Sequence, residues 1–263
     1  MKKIGIILLF VILSVAKNLT PGSFAFAQDD SKGRQIIDRQ KATNTGYHDE
    51  IIRGEMTLLG PKGDKTSREF EVKHLEERGP VRAKSLIKIL KPADLNGTAL
   101  LSLQNPGGDD QWLYLPALKK TTRIIGQGKT GRFIGSEFTY EDLIPPKEDQ
   151  YRYTWLREEP CDGGICHLIE ATPLFSNSGY SKTVLFIKQD DLQNVRIDFY
   201  DKKGRLFKRG TFDERRNVGK FHRAFKISMQ NLMDGRQTVL TIKNIRIGAA
   251  LTDADFTKTA LER

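Results

Sequence analysis

Residues 195–229 read VRIDFYDKKGRLFKRGTFDERRNVGKFHRAFKISM, and this stretch decides the fold class. Apolar and polar residues alternate in three runs within it, at residues 195–200, 205–212 and 221–229. Alternation of period two predicts strands, and the breaks Lys203-Gly204 and Asn217-Val218-Gly219 predict tight turns. The stretch therefore predicts consecutive antiparallel strands that are joined by hairpins.

The same pattern extends over most of the chain. Further strands are predicted at residues 51–59, 67–75, 81–90, 98–104, 111–115, 121–125, 151–157, 167–172, 180–188 and 237–247. About eleven strands joined mainly by hairpins predict one antiparallel, meander-like sheet, and a sheet of that length curls or closes on itself. Short helices are predicted at residues 34–41 and 253–261. The predicted fold class is therefore mainly β with a few helices (α+β).

The composition excludes several classes of protein. Of the 263 residues, 38% are hydrophobic and 29% are charged, which argues against a multi-span membrane protein and against global disorder. The formal net charge is +10, but the charges alternate with apolar residues and form no blocks. This pattern favours the solvated outer face of a sheet, with attraction to anionic lipid headgroups as the alternative, and predicts no nucleic-acid partner. Two Cys and four His without recognisable spacing predict no metal site.

The N-terminus has the pattern of an export signal. Two lysines precede the apolar run at residues 4–15, which is short for a membrane span, and Ala25-Phe26-Ala27 offers a cleavage site. We expect a signal peptide over residues 1–27 that is cleaved after Ala27, followed by one domain over residues 28–263. An uncleaved N-terminal anchor is the alternative.

The two cysteines lie close together in the sequence. Cys161 and Cys166 bracket Asp162-Gly163-Gly164-Ile165, so in an oxidising compartment they are expected to form a disulfide at the tip of a hairpin. A redox-active pair is disfavoured because the spacing is not C-x-x-C and no helix begins there.

The middle of the chain departs from the strand pattern. Residues 127–146 read QGKTGRFIGSEFTYEDLIPP, which is too apolar for a free surface loop and too rich in glycine for a continuous helix. We expect a buried or lid-like segment against the sheet, in which Ser136 caps a single turn over residues 137–143. The glycine spacing is not that of a phosphate-binding loop.

Three acidic residues of this segment, Glu137, Glu141 and Asp142, allow two interpretations. One is a cation site. The other, which we favour, is a solvated or N-terminal helical turn, where the helix dipole stabilises carboxylates.

The sequence contains no recognisable catalytic motif. His48, His74, His167 and His222 are scattered through strand-like runs, and neither a G-x-S-x-G elbow nor an H-E-x-x-H motif is present. We therefore expect a protein that is not an enzyme, with no catalytic residue and no cofactor.

Several of these motifs together resemble a known family. Residues 112–120 (WLYLPALKK), 123–124 and 133–143 (FIGSEFTYEDL) are similar to the signature of the outer-membrane lipoprotein-sorting proteins, whose fold is LolA/LolB-like. The similarity continues through Asp162-Gly163, Cys166, residues 180–182, residues 198–200, Gly204, Lys208 and residues 256–263. It therefore covers nearly the whole chain after residue 27.

The resemblance implies a strongly curved antiparallel sheet that forms an unclosed half-barrel and is covered by a helical or loop lid. It further implies a periplasmic carrier that binds the acyl chains of a lipid or lipoprotein in an apolar cavity, contacts membranes transiently and shuttles its cargo toward the outer membrane. Relatives with the Gly-Ser-x-Phe signature are often linked to inner-membrane transporters of the resistance-nodulation-division (RND) type. The alternative function is therefore a lipoprotein-sensing or adaptor module that docks on such a transporter without transferring cargo.

The resemblance also suggests which side chains line the cavity or its lid. They are Trp112, Tyr114, Phe133, Phe138, Tyr140 and Trp155. Trp112 and Tyr114 share one face of their strand because side chains two positions apart point the same way. Aromatic residues in a sheet usually form ordinary core, and that interpretation stays open for all six.

Overall fold

The computed structural model describes residues 21–262, apart from residues 80, 81, 106, 107, 145, 146 and 162. Most of the predicted signal peptide lies outside the described residues. In the described part, the chain forms two α-helices and thirteen strands. The helices are α1 (Pro21–Asn44) and α2 (Lys258–Leu261). The strands are β1 (Asp49–Leu59), β2 (Lys65–Leu75), β3 (Lys84–Lys91), β4 (Ala99–Leu103), β5 (Asp110–Leu115), β6 (Lys120–Ile124), β7 (Tyr151–Cys161), β8 (Gly164–Pro173), β9 (Lys182–Lys188), β10 (Asn194–Tyr200), β11 (Leu206–Val218), β12 (Phe221–Asn231) and β13 (Gln237–Ile247).

These strands pair in one sheet with the order β6-β5-β4-β3-β2-β1-β13-β12-β11-β10-β9-β8-β7. Each of the thirteen predicted runs overlaps one of them, so the estimate of about eleven strands was too low by two. All the pairings are antiparallel, as hairpin connections require. β6 and β7 are the two edges, so the sheet curls without closing. The prediction of an unclosed half-barrel is confirmed.

The cross-strand register defines the inner face of this half-barrel. Directly paired residues point to the same face of a sheet, as do residues two apart on one strand. By this rule Ile52, Val72, Ile87 and Leu100 share one face on β1 to β4. Following the pairing through β13 to β8 places Ile169 on the same face. Both α1 and the segment between β6 and β7 cover this side, which we call the inner face.

The N-terminal helix α1 covers the inner face at β7 to β9. Ile36 and Ile37 are buried against Tyr153 and Ile169. Gly33 allows the close approach, since a Cβ added there would lie 2.7 Å from the carbonyl oxygen of Tyr153. The helix predicted at residues 34–41 is therefore confirmed, although α1 begins earlier and includes the predicted cleavage site, whose processing stays a prediction.

The segment between β6 and β7 crosses the inner face. We call residues 126–144 the lid segment. It contains three short 3-10 helices, at Gly126–Thr130, Phe133–Gly135 and Glu141–Leu143. The predicted single turn over residues 137–143 is only partly right. The helical turn is confined to residues 141–143, and Ser136 does not cap it, because its hydroxyl accepts a hydrogen bond from the Phe138 amide (3.3 Å) in a tight non-helical turn. The expected buried, lid-like course is confirmed, since Phe133 and Phe138 are both buried.

The C-terminal tail covers the outer face. A 3-10 helix at Asp253–Phe256 begins with a capping box between Thr252 and Asp255, and α2 follows. The predicted helix over residues 253–261 is thus two short helices separated at Thr257. Phe256 and Leu261 pack on apolar side chains of β3 and β4.

Candidate functional site

Two rows of side chains cross the inner face side by side. The first, which we call the apolar row, consists of the successively paired residues Ile245, Ile52, Val72, Ile87, Leu100 and Leu113. Leu100 is fully buried, whereas Ile245, Ile52 and Val72 are only partly buried. Because apolar surface in contact with water is unfavourable, this end of the row favours the packing of an apolar ligand.

The second row, which we call the polar row, lies two residues along the same strands. It consists of Glu50, His74, Ser85, Ser102 and Gln111. In the described structure, His74 Nε2, Ser85 Oγ and Gln111 Oε1 are buried without a hydrogen-bond partner. Buried polar atoms are nearly always paired, so these three atoms can accept or donate hydrogen bonds to a ligand or to water. An amphiphile with its chain along the apolar row would bring its polar group to this row.

The polar row also contains a charge. Burial would raise the pKa of the Glu50 carboxyl, but contacts with His74 and Arg223 outweigh it and lower the pKa. Glu50 Oε2 lies 3.2 Å from Arg223 Nε. This end of the polar row therefore has its own internal counter-ion and stays ionised at neutral pH.

The lid segment seals the other end of the apolar row. Phe133 is completely buried in one cluster with Ile87 and Leu100. The ring of Tyr140 meets that of Phe133 edge-on at a centroid distance of 6.0 Å. The Tyr140 carbonyl accepts a hydrogen bond from Gln111 Nε2 (2.9 Å). Outward movement of the lid segment would therefore uncover the apolar row and free the Gln111 amide group.

A buried ion pair fastens the lid segment to the sheet. Lys208 Nζ on β11 lies 2.6 Å from Asp142 Oδ2, and the two side chains are only 2% and 5% exposed. The Tyr180 hydroxyl donates to Asp142 Oδ1 (2.6 Å) and accepts from Lys208 Nζ. Burial, followed by the nearby Asp142 carboxylate, raises the pKa of Tyr180 well above its ordinary value, so this hydroxyl stays protonated. We call Lys208, Asp142 and Tyr180 the latch.

Two further acidic side chains of the lid segment have partners beside the latch. Glu141 accepts hydrogen bonds from the Ser178 hydroxyl and from the Gly179 amide (2.7 Å). Burial raises the pKa of the Glu141 carboxyl. Glu137 is 4% exposed and accepts a hydrogen bond from Asn231 Nδ2 at the end of β12 (3.3 Å). All three acids of the segment thus help to hold it closed.

The interpretation of these acids as a solvated or N-terminal helical turn is partly wrong. Glu141 and Asp142 do begin a 3-10 helix, but Glu137 and Asp142 are buried and Glu141 is hydrogen-bonded to the β8–β9 connection. Across the described residues, no group of three or more His, Cys, Asp or Glu side chains is arranged to hold a metal ion.

A cleft of about 130 Å³ lies between the lid segment and the loops that hold it. The latch residues Lys208 and Tyr180 line it together with Arg132, Glu137 and Glu141. Ligand sites for ordinary small molecules measure roughly 300–1,000 Å³, so this cleft is too small for an acyl chain. A long apolar ligand would therefore need the inner face, which the lid segment partly covers.

Four of the six predicted aromatic residues reach the inner face. Phe133 and Tyr140 pack on the apolar row, and Phe138 packs close to the latch. Trp155 lies beneath α1, with Lys32 Nζ 3.4 Å from its ring centroid. The structure thus brings three of them together in the lid segment and separates the fourth.

Trp112 and Tyr114 lie on the outer face. They share one face of β5, as predicted, but their neighbour Leu113 is the residue that joins the apolar row. The C-terminal tail covers them through Phe256 and Leu261. Their packing partners are therefore the tail and the outer face, away from the lid segment.

The latch is the part of the site that sequence reasoning missed. Lys208 occupies a position of β11 on the same face as Gly210 and Phe212, where the alternation predicts an inward side chain. A lysine at such a position was the available signal. Its partner Asp142 lies 66 residues away in the sequence, so no local pattern connects them.

Cys161 and Cys166 form the predicted disulfide at the tip of the β7–β8 hairpin. His74 is hydrogen-bonded to the Tyr47 hydroxyl (3.0 Å), which fits a structural role. In the described part of the chain, none of the helices has the length and apolarity needed to cross a membrane.

Comparison with known proteins identifies the family. A family model whose description reads "uncharacterized protein" matches residues 82–263. A domain from Vibrio parahaemolyticus that is named for outer-membrane lipoprotein sorting is 36% identical, with 89% of this chain and 100% of that chain covered and a TM-score of 0.85. The chain belongs to the family of this outer-membrane lipoprotein-sorting domain.

Two other solved structures are similar to the chain. A DUF1329 family protein from Desulfovibrio piger is 30% identical to it, with 89% and 99% of the two chains covered and a TM-score of 0.84. A LolA superfamily protein from Nitrosomonas europaea is 20% identical, covers 87% and 98% of the two chains at a TM-score of 0.70, and supports the fold alone. No curated protein matches the chain.

Proposed function

We propose that this LolA-like protein is an exported, non-enzymatic carrier that binds the acyl chains of a lipid or lipoprotein and shuttles them toward the outer membrane. The observation that carries the proposal is the apolar row on the inner face. It is partly exposed at Ile245, Ile52 and Val72 and covered elsewhere by a segment that polar contacts hold in place. The name of the 36% identical relative, which refers to lipoprotein sorting, supports the same cargo class.

Apolar burial supplies the driving force for such binding. Each buried CH₂ group contributes about 0.8 kcal/mol, so a chain of about 14 to 16 carbons offers on the order of 10 kcal/mol before ordering costs. The unpartnered atoms of the polar row are suited to the ester or amide group at the end of the chain. Binding and release of this kind need no catalytic group.

Export to the periplasm fits the remaining features. The predicted signal peptide over residues 1–27 directs the chain out of the cytoplasm. The Cys161–Cys166 disulfide is of a kind that persists in oxidising compartments. The buried core clusters lie within residues 36–261, so the exported form starting at residue 28 retains them.

The first test is native mass spectrometry of the exported form, purified without detergent, followed by organic extraction of the bound material. We expect a discrete adduct that extracts as a lipid or an acylated peptide. Absence of an adduct, together with no displacement of a hydrophobic dye by added fatty acid, would overturn the carrier proposal. A stable complex with an RND-type inner-membrane transporter, formed without lipid transfer, would then favour the adaptor function.

A matched pair of variants locates the binding face. Ile245 and Arg246 are neighbours on β13 that point to opposite faces, and Arg246 is exposed. Placing a polar amide in the apolar row costs about 1–3 kcal/mol, so Ile245→Gln should weaken binding of a fluorescent fatty acid by about fivefold to 150-fold. Arg246→Gln should leave it unchanged. Equal affinities in the two variants would exclude the inner face as the binding surface.

A further inference from the structure

The antiparallel topology brings six connections to one end of the half-barrel. In a meander of this kind, every second connection lies at the same end of the sheet. We call these connections, with the strand ends that flank them, the hairpin rim: residues 60–65, 91–98, 116–120, 174–181, 201–205 and 232–236. Two neighbouring connections contact each other directly, since Lys202 Nζ donates a hydrogen bond to the Tyr180 carbonyl (2.9 Å).

The hairpin rim is strongly basic. Its exposed basic side chains are Lys62, Lys65, Lys91, Lys119, Lys120, Lys202, Lys203, Arg205 and Arg236, and its acidic residues are Asp64, Asp94, Asp201 and Asp234. Among the described residues, no carboxylate forms an ion pair with Lys62, Lys119, Lys120 or Lys203.

The opposite end of the half-barrel has no such excess of basic residues. With the flanking strand ends included in the same way, the described residues of its β2–β3, β4–β5, β9–β10 and β11–β12 connections contain six acidic residues (Glu76, Glu77, Asp109, Asp110, Asp190 and Asp191) and five basic residues (Arg78, Arg82, Lys84, Lys188 and Lys220). The charge on the rim therefore reflects its position on the molecule and not merely the basic composition of the chain.

The hairpin rim also has apolar tips. Leu118, Leu174 and Met233 are 67%, 64% and 63% exposed, and Leu232 lies next to Met233. They lie on three separate connections spread along the rim. Of the other exposed large apolar side chains, Ile125 and Ile165 lie at the opposite end and Leu156 lies within β7.

We propose that the hairpin rim docks on the surface of an anionic lipid bilayer. Lysines clustered near such a surface are attracted to acidic headgroups over about one Debye length. Apolar tips among them enter the boundary between headgroups and acyl chains, as the apolar face of an interfacial helix does. Basic charge and exposed apolar side chains occur together on this end of the half-barrel. A surface that only contacts water does not need the apolar tips, and docking to an acidic protein would need only the charge.

The rim also holds the lid segment. Tyr180 of the latch and the Ser178 hydroxyl belong to the connection at residues 174–181. Asp234, at the tip of another connection, lies 3.5 Å from Arg132 of the lid segment. Docking therefore brings the contacts that keep the lid closed to the membrane surface, where an acylated cargo would enter or leave. This last step rests on the proposed carrier function, whereas the docking itself does not.

Vesicle co-sedimentation of the exported form tests the docking. We expect binding to vesicles of phosphatidylcholine with about 30% phosphatidylglycerol, little binding to phosphatidylcholine alone, and weaker binding as salt is raised. Absence of binding to the anionic vesicles, or equal binding to both kinds, overturns the proposal. Because no cargo is present, the result does not depend on whether the inner face carries acyl chains.

Two triple variants with the same change in net charge locate the surface. Lys119→Glu, Lys120→Glu and Lys203→Glu together reverse three charges on the rim and should lower the affinity for anionic vesicles at least about tenfold. Lys220→Glu, Lys226→Glu and Arg246→Glu reverse three exposed charges away from the rim and should have a much smaller effect. Equal losses would show that only net charge matters and would overturn the assignment to the rim.

A separate variant tests the apolar tips of the rim. In Leu118→Ser/Met233→Ser, we expect loss of the vesicle binding that persists at high salt, and retention of that binding would contradict insertion of the tips. Circular dichroism checks that each variant is folded.

Discussion

Removal of the Lys208 ammonium tests whether the latch holds the lid segment closed. In the variant Lys208→Met the side chain keeps its length and apolar stem but loses the charge. Asp142 is then left buried, at 5% exposure, without its cation. The ionised carboxylate regains water only if the lid segment moves outward, so the variant should favour the open state.

The magnitude follows from the burial of both partners. Removing one partner of a buried ion pair costs about 3–5 kcal/mol, because the remaining charge is uncompensated. At 1.36 kcal/mol for each factor of ten, this raises the population of the open lid by about two to three and a half orders of magnitude. An exposed pair offers the contrast: Lys243 and Glu55 are 55% and 34% exposed, and such pairs contribute about 0–1 kcal/mol.

Hydrogen–deuterium exchange measures this opening directly. The amide of Glu137 in the lid segment donates to the Thr238 hydroxyl on β13 (2.9 Å), so it becomes exchangeable when the segment moves away from the sheet. In Lys208→Met we expect amide exchange in residues 131–144 to accelerate by about two to three and a half orders of magnitude, while exchange in β8 and β9 stays nearly unchanged. The control variant Lys243→Met should behave like the wild type.

A second variant separates the charge from the packing. In Lys208→Met/Asp142→Asn no charge is buried, and the amide oxygen still accepts from the Tyr180 hydroxyl, so exchange should return toward the wild-type rate. Unchanged exchange in Lys208→Met would refute the latch. Equal acceleration in the single and double variants would show that packing of the lysine stem, and not the ion pair, holds the lid segment.

Three further predictions concern the neighbouring structure. Because burial raises the pKa of Glu141, the folded protein binds a proton on this carboxyl more tightly than the unfolded chain does, so the free energy of unfolding falls as pH rises from 4.5 toward the raised pKa. Urea unfolding at several pH values should show a flatter pH dependence for Glu141→Gln in this range, and an unaltered slope would contradict the reasoning. Intact mass after alkylation should show no free thiol unless reductant is added. The double variant Cys161→Ser/Cys166→Ser should lower the free energy of unfolding by about 2 kcal/mol because the disulfide closes only a short loop, and a loss near 5 kcal/mol would contradict that reasoning. Gly33→Ala should lower the free energy of unfolding by about 1–3 kcal/mol, and with it the thermal midpoint, because the new Cβ would lie 2.7 Å from the Tyr153 carbonyl oxygen. Alanine favours helix over glycine, so a raised midpoint would mean that α1 does not pack on β7.

The strands were predictable because their signal is local. Alternation along residues 205–212 and the turn at Lys203-Gly204 both concern residues within reach of one hairpin. The disulfide between Cys161 and Cys166 was predictable for the same reason, since five positions separate the two residues. The helix α1 was placed correctly but its start was not, because helix ends depend on weak capping preferences and on packing against β7.

The roles of the predicted site residues were harder to infer. Trp112 and Leu113 are both apolar, so the sequence of β5 does not say which of them faces inward. The inward direction is decided by the pairing of Leu113 with Leu100 and by the C-terminal tail that covers Trp112. Likewise, three acids on a glycine-rich loop are ordinarily solvated, and only the folded sheet supplies Lys208 and Ser178 as their partners.

Patterns along the chain are sufficient to predict the strands, the turns between them, the disulfide and the non-strand segment in the middle of the chain. Each of these depends on residues that are close in the sequence, where periodicity and turn preference act directly. Three features follow from the folded sheet alone: which face is inner, which aromatic residues reach it, and that Lys208, 66 residues beyond Asp142, fastens the lid segment. A buried charge is stable only beside a partner, and the curvature of the whole sheet determines which residue that partner is.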